Sequence, residues 1–469
     1  MGRVTVRSFG LFGLFGLFGL FGLFGLLFGG LCVTGPGVTG PVVPGPVVAG
    51  SAGEPGPTGA AARCEVSVPY AAGAGGYANH RVPAAVRTRA GTVLAFAEGR
   101  VGGAGDSGDI DIVVRRSEDG GCTWGPARVV ADGNGDTRGN PAPVVDPRSG
   151  DIVLLSSYNG AEATERRILR GEVPAARGRR VFVQRSSDDG RTFSAPREIT
   201  ARVKKPGWRW YATGPGHALA LTRGPHAGRL VVPANHSEAP PEGSTDTGEE
   251  PRHYGAHALY SDDGGRSWSL GLVDGTYDGF VNTSESTVAQ LPDGRLYFNS
   301  RDQLGTSPGN RADAFSRDGG ASLDRPFAPQ RTLDGVPVVQ GSLLYVGGRD
   351  GVLLFSAPSV PDARAEEAVW ASRDGGRTFT KALTVDRRKA AYSDLVPLDA
   401  TTVGLLYETG ARSPYETVEF RRVPLAALTA HPSDPRLPER GKDDRVFTYP
   451  GESGRGETSL PAAGRPRST

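Results

Sequence analysis

Ser117-Glu-Asp-Gly-Gly-Cys-Thr-Trp124 is the first of five copies of one phrase, Ser-x-Asp-x-Gly-x-Thr/Ser-aromatic. The second copy is Ser186 to Phe193 (SSDDGRTF) and the third is Ser261 to Trp268 (SDDGGRSW). The fourth, Ser316 to Leu323 (SRDGGASL), has lost its aromatic, and the fifth is Ser372 to Phe379 (SRDGGRTF). Copies start roughly 55 to 75 residues apart, the spacing of a repeated supersecondary unit. In each copy Ser and Asp can hydrogen-bond the backbone of their own turn, Gly supplies positive φ, and the aromatic anchors the turn on an apolar layer. Such a turn joins two antiparallel strands. The recurring acid is read at Asp119, Asp188, Asp262, Asp318 and Asp374. An active site is normally built once, so these acids are assigned to turn formation and the chemistry is sought in residues that occur once.

Outward from the turns, the composition agrees. With 69 Gly and 37 Pro in 469 residues, short strands and tight turns are favoured over long helices. A net charge of +2 gives no acidic or basic excess that would indicate a nucleic acid or membrane-surface partner. Strand-like runs recur at Thr92 to Ala97, Asp151 to Leu155, Arg229 to Val232, Arg295 to Asn299, Gly351 to Phe355 and Thr402 to Tyr407, several of them after Asp-Gly turn signals. No amphipathic helix of convincing length is present. The spacing predicts an all-β fold, a six-bladed β-propeller of four-stranded antiparallel blades, over residues 63–430. The sixth blade runs from about Leu383 to Leu428 and is completed by an N-terminal strand near Cys64 to Val68, which protects the open edges.

The ends read differently. Arg3 and Arg7 precede Leu-Phe-Gly triplets, so residues 1–33 resemble a secretory signal, with an uncleaved membrane anchor as the alternative. Residues 34–62 are a Pro/Gly/Val-rich linker and 431–469 a disordered tail. Export would permit Cys64 and Cys122 to pair, and two unpaired thiols are the other reading.

Several residues that occur once, taken in order, resemble the motifs of bacterial exo-α-sialidases, whose Asp boxes the five phrases also resemble. His80-Arg81-Val82-Pro83 is similar to the opening aromatic-Arg-Ile-Pro, with His and Val in place of the aromatic and Ile. Leu94 to Arg100 (LAFAEGR) and the loop Val101 to Asp111 match the strand and loop of the catalytic acid, whose position falls on Asp106. Asn140-Pro141-Ala142-Pro143 and Gly214-Pro215-Gly216-His217 are similar to two further loops. Glu285 precedes Arg301 by 16 residues, Arg364 falls on the third Arg, Tyr392-Ser393-Asp394-Leu395 on the Tyr motif, and Tyr407-Glu408-x-Gly410 closes the series.

The resemblance implies hydrolysis of terminal α-linked sialic acids with retention of configuration. The partners would be sialylated glycoproteins, glycolipids or oligosaccharides, the chain a monomer that the signal-like N-terminus marks as secreted, and no metal or organic cofactor would be needed. Arg81, Arg301 and Arg364 would clamp the substrate carboxylate, since guanidinium forks suit carboxylates. Tyr392 would be the nucleophile, because a neutral phenol avoids the repulsion a carboxylate would suffer beside that anion. An unaided phenol is unreactive near its pKa of about 10, so Glu285 would serve as its base. Asp106 would be the acid/base, with Asp109 and Asp111 as competitors; a calcium loop through all three fits no standard ligand spacing. Arg100 and Asn140 would contact the sugar. Glu408 completes the substrate-binding set by orienting Arg81. Asn235, His236, His217 and Tyr254 are candidates for the glycerol or aglycone side. Trp208 and Trp210 are placed on sugar or in the core. A trans-sialidase or a non-catalytic glycan-binding propeller would share most of these features.

Overall fold

The computed structural model describes residues 64–348 and 350–429. The expected signal segment, linker and tail lie outside the described residues. Strands dominate, and helices are limited to short pieces.

The chain enters as β1 (Val66–Ala71), and the remaining strands run as six successive antiparallel groups, which a parallel bridge Ile110–Thr137 and an antiparallel bridge Ala365–Lys389 join into four sheets. The first group is β2 (Asn79–Arg87), β3 (Val93–Arg100), β4 (Ile110–Ser117) and β5 (Arg128–Ala131). The second is β6 (Thr137–Val145), β7 (Ile152–Asn159), β8 (Arg180–Ser186) and β9 (Arg197–Glu198). The third is β10 (Trp208–Thr213), β11 (Leu219–Ala220), β12 (Leu230–Glu238), β13 (Tyr254–Ser261) and β14 (Ser269–Val273). The fourth is β15 (Thr283–Gln290), β16 (Leu296–Asp302), β17 (Arg311–Ser316) and β18 (Ala328–Pro329). The fifth is β19 (Ser342–Val346), β20 (Val352–Val360), β21 (Ala363–Ser372) and β22 (Thr380–Thr384). The last is β23 (Lys389–Pro397), β24 (Thr402–Gly410) and β25 (Thr417–Pro424), and β1 pairs with β25 as its fourth strand. Cys64 and Cys122 form a disulfide with a Cα–Cα distance of 5.5 Å, tying the entry of β1 to the first repeat turn.

Side-chain alternation explains why these strands are apolar on both faces. Ile152 and Leu154 pack back toward Leu94 and Phe96 of the first group. Val153 and Leu155 pack forward onto Leu230 and Val232 of the third. Successive residues point to opposite faces of a strand, so each group is buried between its two neighbours. The same holds onward, with cores between the third and fourth groups, the fourth and fifth, and the fifth and last. A further core joins Val396, Leu406 and Phe420 of the last group to Ala85, Val93 and Ala95 of the first.

The repeat turns sit on this packing. Ser117 Oγ donates to Asp119 Oδ1 at 2.7 Å, and the same carboxylate accepts from the N–H groups of Cys122 (3.0 Å) and Thr123 (2.9 Å) and from Thr123 Oγ1 (2.7 Å). Gly121 has φ +92°, and a Cβ there would overlap the Phe420 ring. Its counterpart Gly376 stands equally close to Tyr297. Each turn thus rests on the group before it, and only a residue without a side chain allows that approach. One reading needs correction. The acid of the third turn is Asp263, not Asp262: Ser261 Oγ donates to Asp263 Oδ1 at 2.8 Å, while Asp262 points away and pairs with Arg229 at 2.8 Å. Two adjacent acids made the copies look equivalent, and the Ser-x-Asp spacing selects the second.

Asp119 is exposed and takes no part in the wall of the cavity described below. Replacing it with Ala removes several turn hydrogen bonds, each with a net value of about 1 kcal/mol. The expected outcome is a melting temperature lower by a few degrees with kcat unchanged, measured by thermal denaturation beside an activity assay.

Candidate functional site

At the end of the strands opposite the repeat turns lies a cavity of about 360 Å³ with a predominantly polar wall. Its shape begins with irregular strands. The register shifts between Arg81 and Ala84 in β2, between Gly139 and Ala142 in β6, and between Trp208 and Tyr211 in β10. It shifts again between Thr283 and Ser286 in β15 and between Ala390 and Ser393 in β23. The residues inside these gaps include Val82, Asn140, Trp210, Ser284, Glu285 and Tyr392, and all of them line the cavity. A β-bulge gives up a ladder hydrogen bond and re-aims a side chain. It also tolerates the proline that follows, as at Pro83 and Pro141. Val82 and Asn140 both have φ of 55°, a backbone conformation uncommon for Asn and an outlier for Val.

Eight of the nine sequence-predicted site residues meet on this wall: Arg81, Arg100, Asp106, Asn140, Glu285, Arg301, Arg364 and Tyr392. The ninth, Glu408, is fully buried behind it. Glu408 therefore does not face the cavity as a substrate-binding residue would. It accepts from Arg81 Nε at 3.2 Å, from Val82 N at 2.8 Å and from Tyr392 N at 3.1 Å, fixing two bulges at once. Burial works against the charge on Arg81, and Glu408, joined by Tyr392, Tyr415 and Asp106, outweighs it.

Tyr392 is the centre. Its hydroxyl donates a short hydrogen bond to Glu285 Oε1, and Arg301 Nη1 donates to Glu285 Oε2 at 2.8 Å. The guanidiniums of Arg81 and Arg364 lie 5.2 and 5.5 Å from the Tyr392 ring centroid. Burial pushes the Tyr392 hydroxyl well above the ordinary phenol range and the Glu285 charge adds to this, while Arg301, Arg81 and Arg364 pull the other way. Arg301 Nε is buried with no partner. Tyr415, which the motifs did not single out, joins this array at two points: its hydroxyl accepts from Arg364 Nη1 at 2.8 Å, and its ring lies 4.2 Å from the Arg81 guanidinium.

Across the cavity stands Asp106, whose side chain is 60% exposed. Arg100 Nη1 donates to it at 2.8 Å, and Arg81 Nη1 lies 3.5 Å away. Enclosure at the cavity mouth pushes its carboxyl up, but Arg100 and then Arg81 outweigh this, and it sits below the ordinary aspartate range. Asp109 is absent from the wall, and Asp111 is engaged by the Tyr77 hydroxyl at 2.6 Å and Gly133 N at 2.7 Å. Arg100 differs from expectation. It lines the cavity, but its donors are committed to Glu98 (2.9 Å), to the Gly105 carbonyl (2.9 Å) and to Asp106, so it holds the loop. Glu98 also accepts from Asn140 N at 2.7 Å.

The remaining candidates separate. Asn235, Tyr254 and Trp210 line the cavity. Trp208 does not; it is core, stacked on His236 with centroids 3.8 Å apart. His236 is buried against His257 Nδ1 (3.1 Å) and the Tyr277 hydroxyl (2.7 Å). His217 gives its Nδ1 to Asp394 at 2.7 Å, a carboxylate that also accepts from Ala85 N and Ser342 Oγ. Both histidines serve the framework because each imidazole finds a buried polar partner. Sequence reasoning missed Glu98, Glu165, Arg179 and Tyr415. Arg179 donates to Asn140 Oδ1 at 3.1 Å and stacks 3.7 Å over Trp210; burial lowers its guanidinium to about 10, still charged at neutral pH. Glu165 opens α1 (Glu165–Leu169) and accepts from the Tyr254 hydroxyl, and burial raises its carboxyl. None belongs to a repeated phrase. Among the described residues, one trio of metal-type donors converges, Asp246, Glu250 and His253, on a loop where Arg252 already neutralises Asp246.

The assembled wall offers an anion clamp, a phenol hydrogen-bonded to a carboxylate, and a second carboxylate across a gap. The BNR repeat-like domain model matches residues 91–405. A sialidase of Micromonospora viridifaciens is 32% identical over 362 residues, 72% of this chain and 51% of that protein. The chain thus spans about half the length of that relative. An exo-alpha-sialidase of Aspergillus fumigatus is 32% identical over 389 residues, 76% of this chain and 87% of that protein. Among solved structures, the Hadza microbial sialidase Hz136 superposes with a TM-score of 0.65 at 28% identity, over 75% of this chain and 67% of that one.

Proposed function

The chain belongs to the sialidase family with BNR repeats, and we propose that it is an exo-α-sialidase that releases terminal α-linked sialic acid with retention of configuration. The observation that carries the reading is the Tyr392–Glu285 hydrogen bond inside a ring of three guanidiniums. The substrate carboxylate sits on Arg81, Arg301 and Arg364, which draws its sugar toward an oxocarbenium-like geometry. Tyr392 Oη attacks the anomeric carbon as Glu285 Oε1 takes its proton. Transfer within the step is required, because a phenol raised by burial is not ionised beforehand. Asp106 protonates the departing glycosidic oxygen. It then takes a proton from the water that attacks the Tyr392-linked sugar, and Glu285 returns its proton to Tyr392.

The architecture proposed for this activity is a closed six-bladed propeller, residues 63–430. Its support is the set of inter-group cores, including the one between the last group and the first. Secretion is proposed from the basic and apolar N-terminus, and the Cys64–Cys122 disulfide suits an oxidising compartment. Water is the acceptor of the reaction, and sialylated glycoproteins, glycolipids or oligosaccharides are its substrates; the chain is proposed to act as a monomer.

The test is proton NMR of 3′-sialyllactose with the purified protein. Free sialic acid should appear first as the α anomer. The β anomer first, or no turnover by folded protein, overturns the proposal. With an added galactoside, a new sialoside as main product assigns the chain to trans-sialidases instead.

A further inference from the structure

Among the described residues, the large exposed apolar side chains other than valines are Phe280, 49% exposed, and Leu304, 65% exposed. They are not scattered. Phe280 lies in the segment leading into β15, whose Ser284 and Glu285 line the cavity, and Leu304 follows Gln303, which also lines it. Leu304 has φ of 57°, a left-handed backbone that leucine rarely adopts. Two of the other non-glycine residues in that region, Val82 and Asn140, are themselves cavity residues. Strain of this kind persists only where the surroundings over-determine it, and it concentrates at functional sites.

The surroundings are specific. Gln303 N donates to the Asn282 carbonyl at 2.7 Å, Thr306 N to that of Gly279 at 3.0 Å and Ser307 N to that of Phe280 at 2.8 Å. The buried Asp302 carboxylate accepts from Asn282 N (2.9 Å), Gly305 N (3.0 Å) and Ser307 Oγ (2.7 Å). A Cβ at Gly305 would stand 2.5 Å from Asp302 Oδ1, so the two segments close on one another only through glycine there. The result is two apolar side chains held out to solvent by a hydrogen-bonded double loop, whose neighbouring residues Gln303, Ser284 and Glu285 line the polar cavity. An arrangement with no binding purpose would turn them inward, at the gain that apolar burial brings.

We infer that Phe280 and Leu304 form a platform for the aglycone, taking the apolar face of the sugar to which the sialic acid is attached. The inference rests on the sialidase reading above. The charged and hydroxylated sialic acid fits the polar cavity, whereas the next sugar must lie at its mouth. A pyranose offers one face of C–H groups, which suits a small two-residue apolar surface.

The experiment compares wild type with the double variant Phe280→Ser, Leu304→Asn; Asn accepts the left-handed backbone. Substrates are 3′-sialyllactose and the methyl α-glycoside of N-acetylneuraminic acid, which has no second sugar. Thermal melting of both proteins accompanies the kinetics. For sialyllactose, kcat/KM should fall about tenfold, mostly through KM, a loss of the size expected for one buried apolar contact. For the methyl glycoside it should change less than about twofold, as expected for a contact the substrate does not reach. Unchanged kinetics on both substrates, or equal losses on both, overturns the platform. Failure of wild type on both substrates overturns the sialidase reading itself, which is a different result.

Discussion

Tyr392→Phe is expected to lower kcat by at least about a thousandfold while leaving the melting temperature within a degree or two of wild type. The expectation follows from what the substitution removes. The ring is buried against Arg81 and Arg364, and phenylalanine preserves that packing. Only the hydroxyl and its bond to Glu285 disappear. Glu285 keeps Arg301 at 2.8 Å, so no buried charge is orphaned and the fold has no reason to loosen. The clamp is intact, and KM should therefore move much less than kcat. Kinetics on an aryl α-sialoside beside a thermal melt decide the matter. A variant within tenfold of wild type would remove Tyr392 from the chemical step and leave Glu285 or water as the attacking group.

What could be seen in the sequence depended on whether a feature was local. The repeat turns were legible because Ser, Asp and Gly complete their hydrogen bonds within a few residues, as around Asp119. The six apolar runs were legible because each is the strand covered on both faces; they correspond to β3, β7, β12, β16, β20 and β24. Pairing of β1 with β25 spans most of the chain, yet followed from the need to cover an edge. The arginines, Asp106, Glu285 and Tyr392 were legible through motif order. Bulges were not, since nothing in Val82-Pro83 or Asn140-Pro141 states which ladder bond is given up. For the same reason Arg100 was read as a sugar contact, although its partners Glu98 and Asp106 sit beside it only after folding, and the bonds of Glu408 to the Val82 and Tyr392 N–H groups went unread beside its expected one to Arg81. Glu165, Arg179 and Tyr415 reach the cavity from segments with no motif of their own. His217 and His236 look like site residues until Asp394, His257 and Tyr277 are seen to take up their nitrogens.

Asp106→Ala should separate substrates by leaving group. On 3′-sialyllactose, whose sugar alkoxide leaves poorly without a proton, kcat/KM is expected to fall by about a thousandfold, within the range of general-acid contributions. On a nitrophenyl α-sialoside, whose phenolate leaves unaided, kcat/KM should fall by no more than about tenfold, because it reports the first bond-breaking step. Turnover of that substrate should instead stall after a burst of nitrophenol, since the same residue is the base for the second step. The resting structure adds a pH signature. Arg100, Arg81 and Arg179 keep the Asp106 carboxyl below the ordinary range, so at neutral pH the free protein holds it largely deprotonated. A bound substrate carboxylate neutralises Arg81, one of the three arginines that lower it, and the proton affinity of Asp106 rises. An acid that must carry a proton loses rate as pH rises through its pKa. The basic limb of kcat, which reports the bound state, is therefore expected at higher pH than that of kcat/KM, which reports the free protein. Both limbs should vanish from the residual turnover of 3′-sialyllactose by the Ala variant. Equal losses on the two substrates, or a basic limb that survives the substitution, would assign the acid to another group.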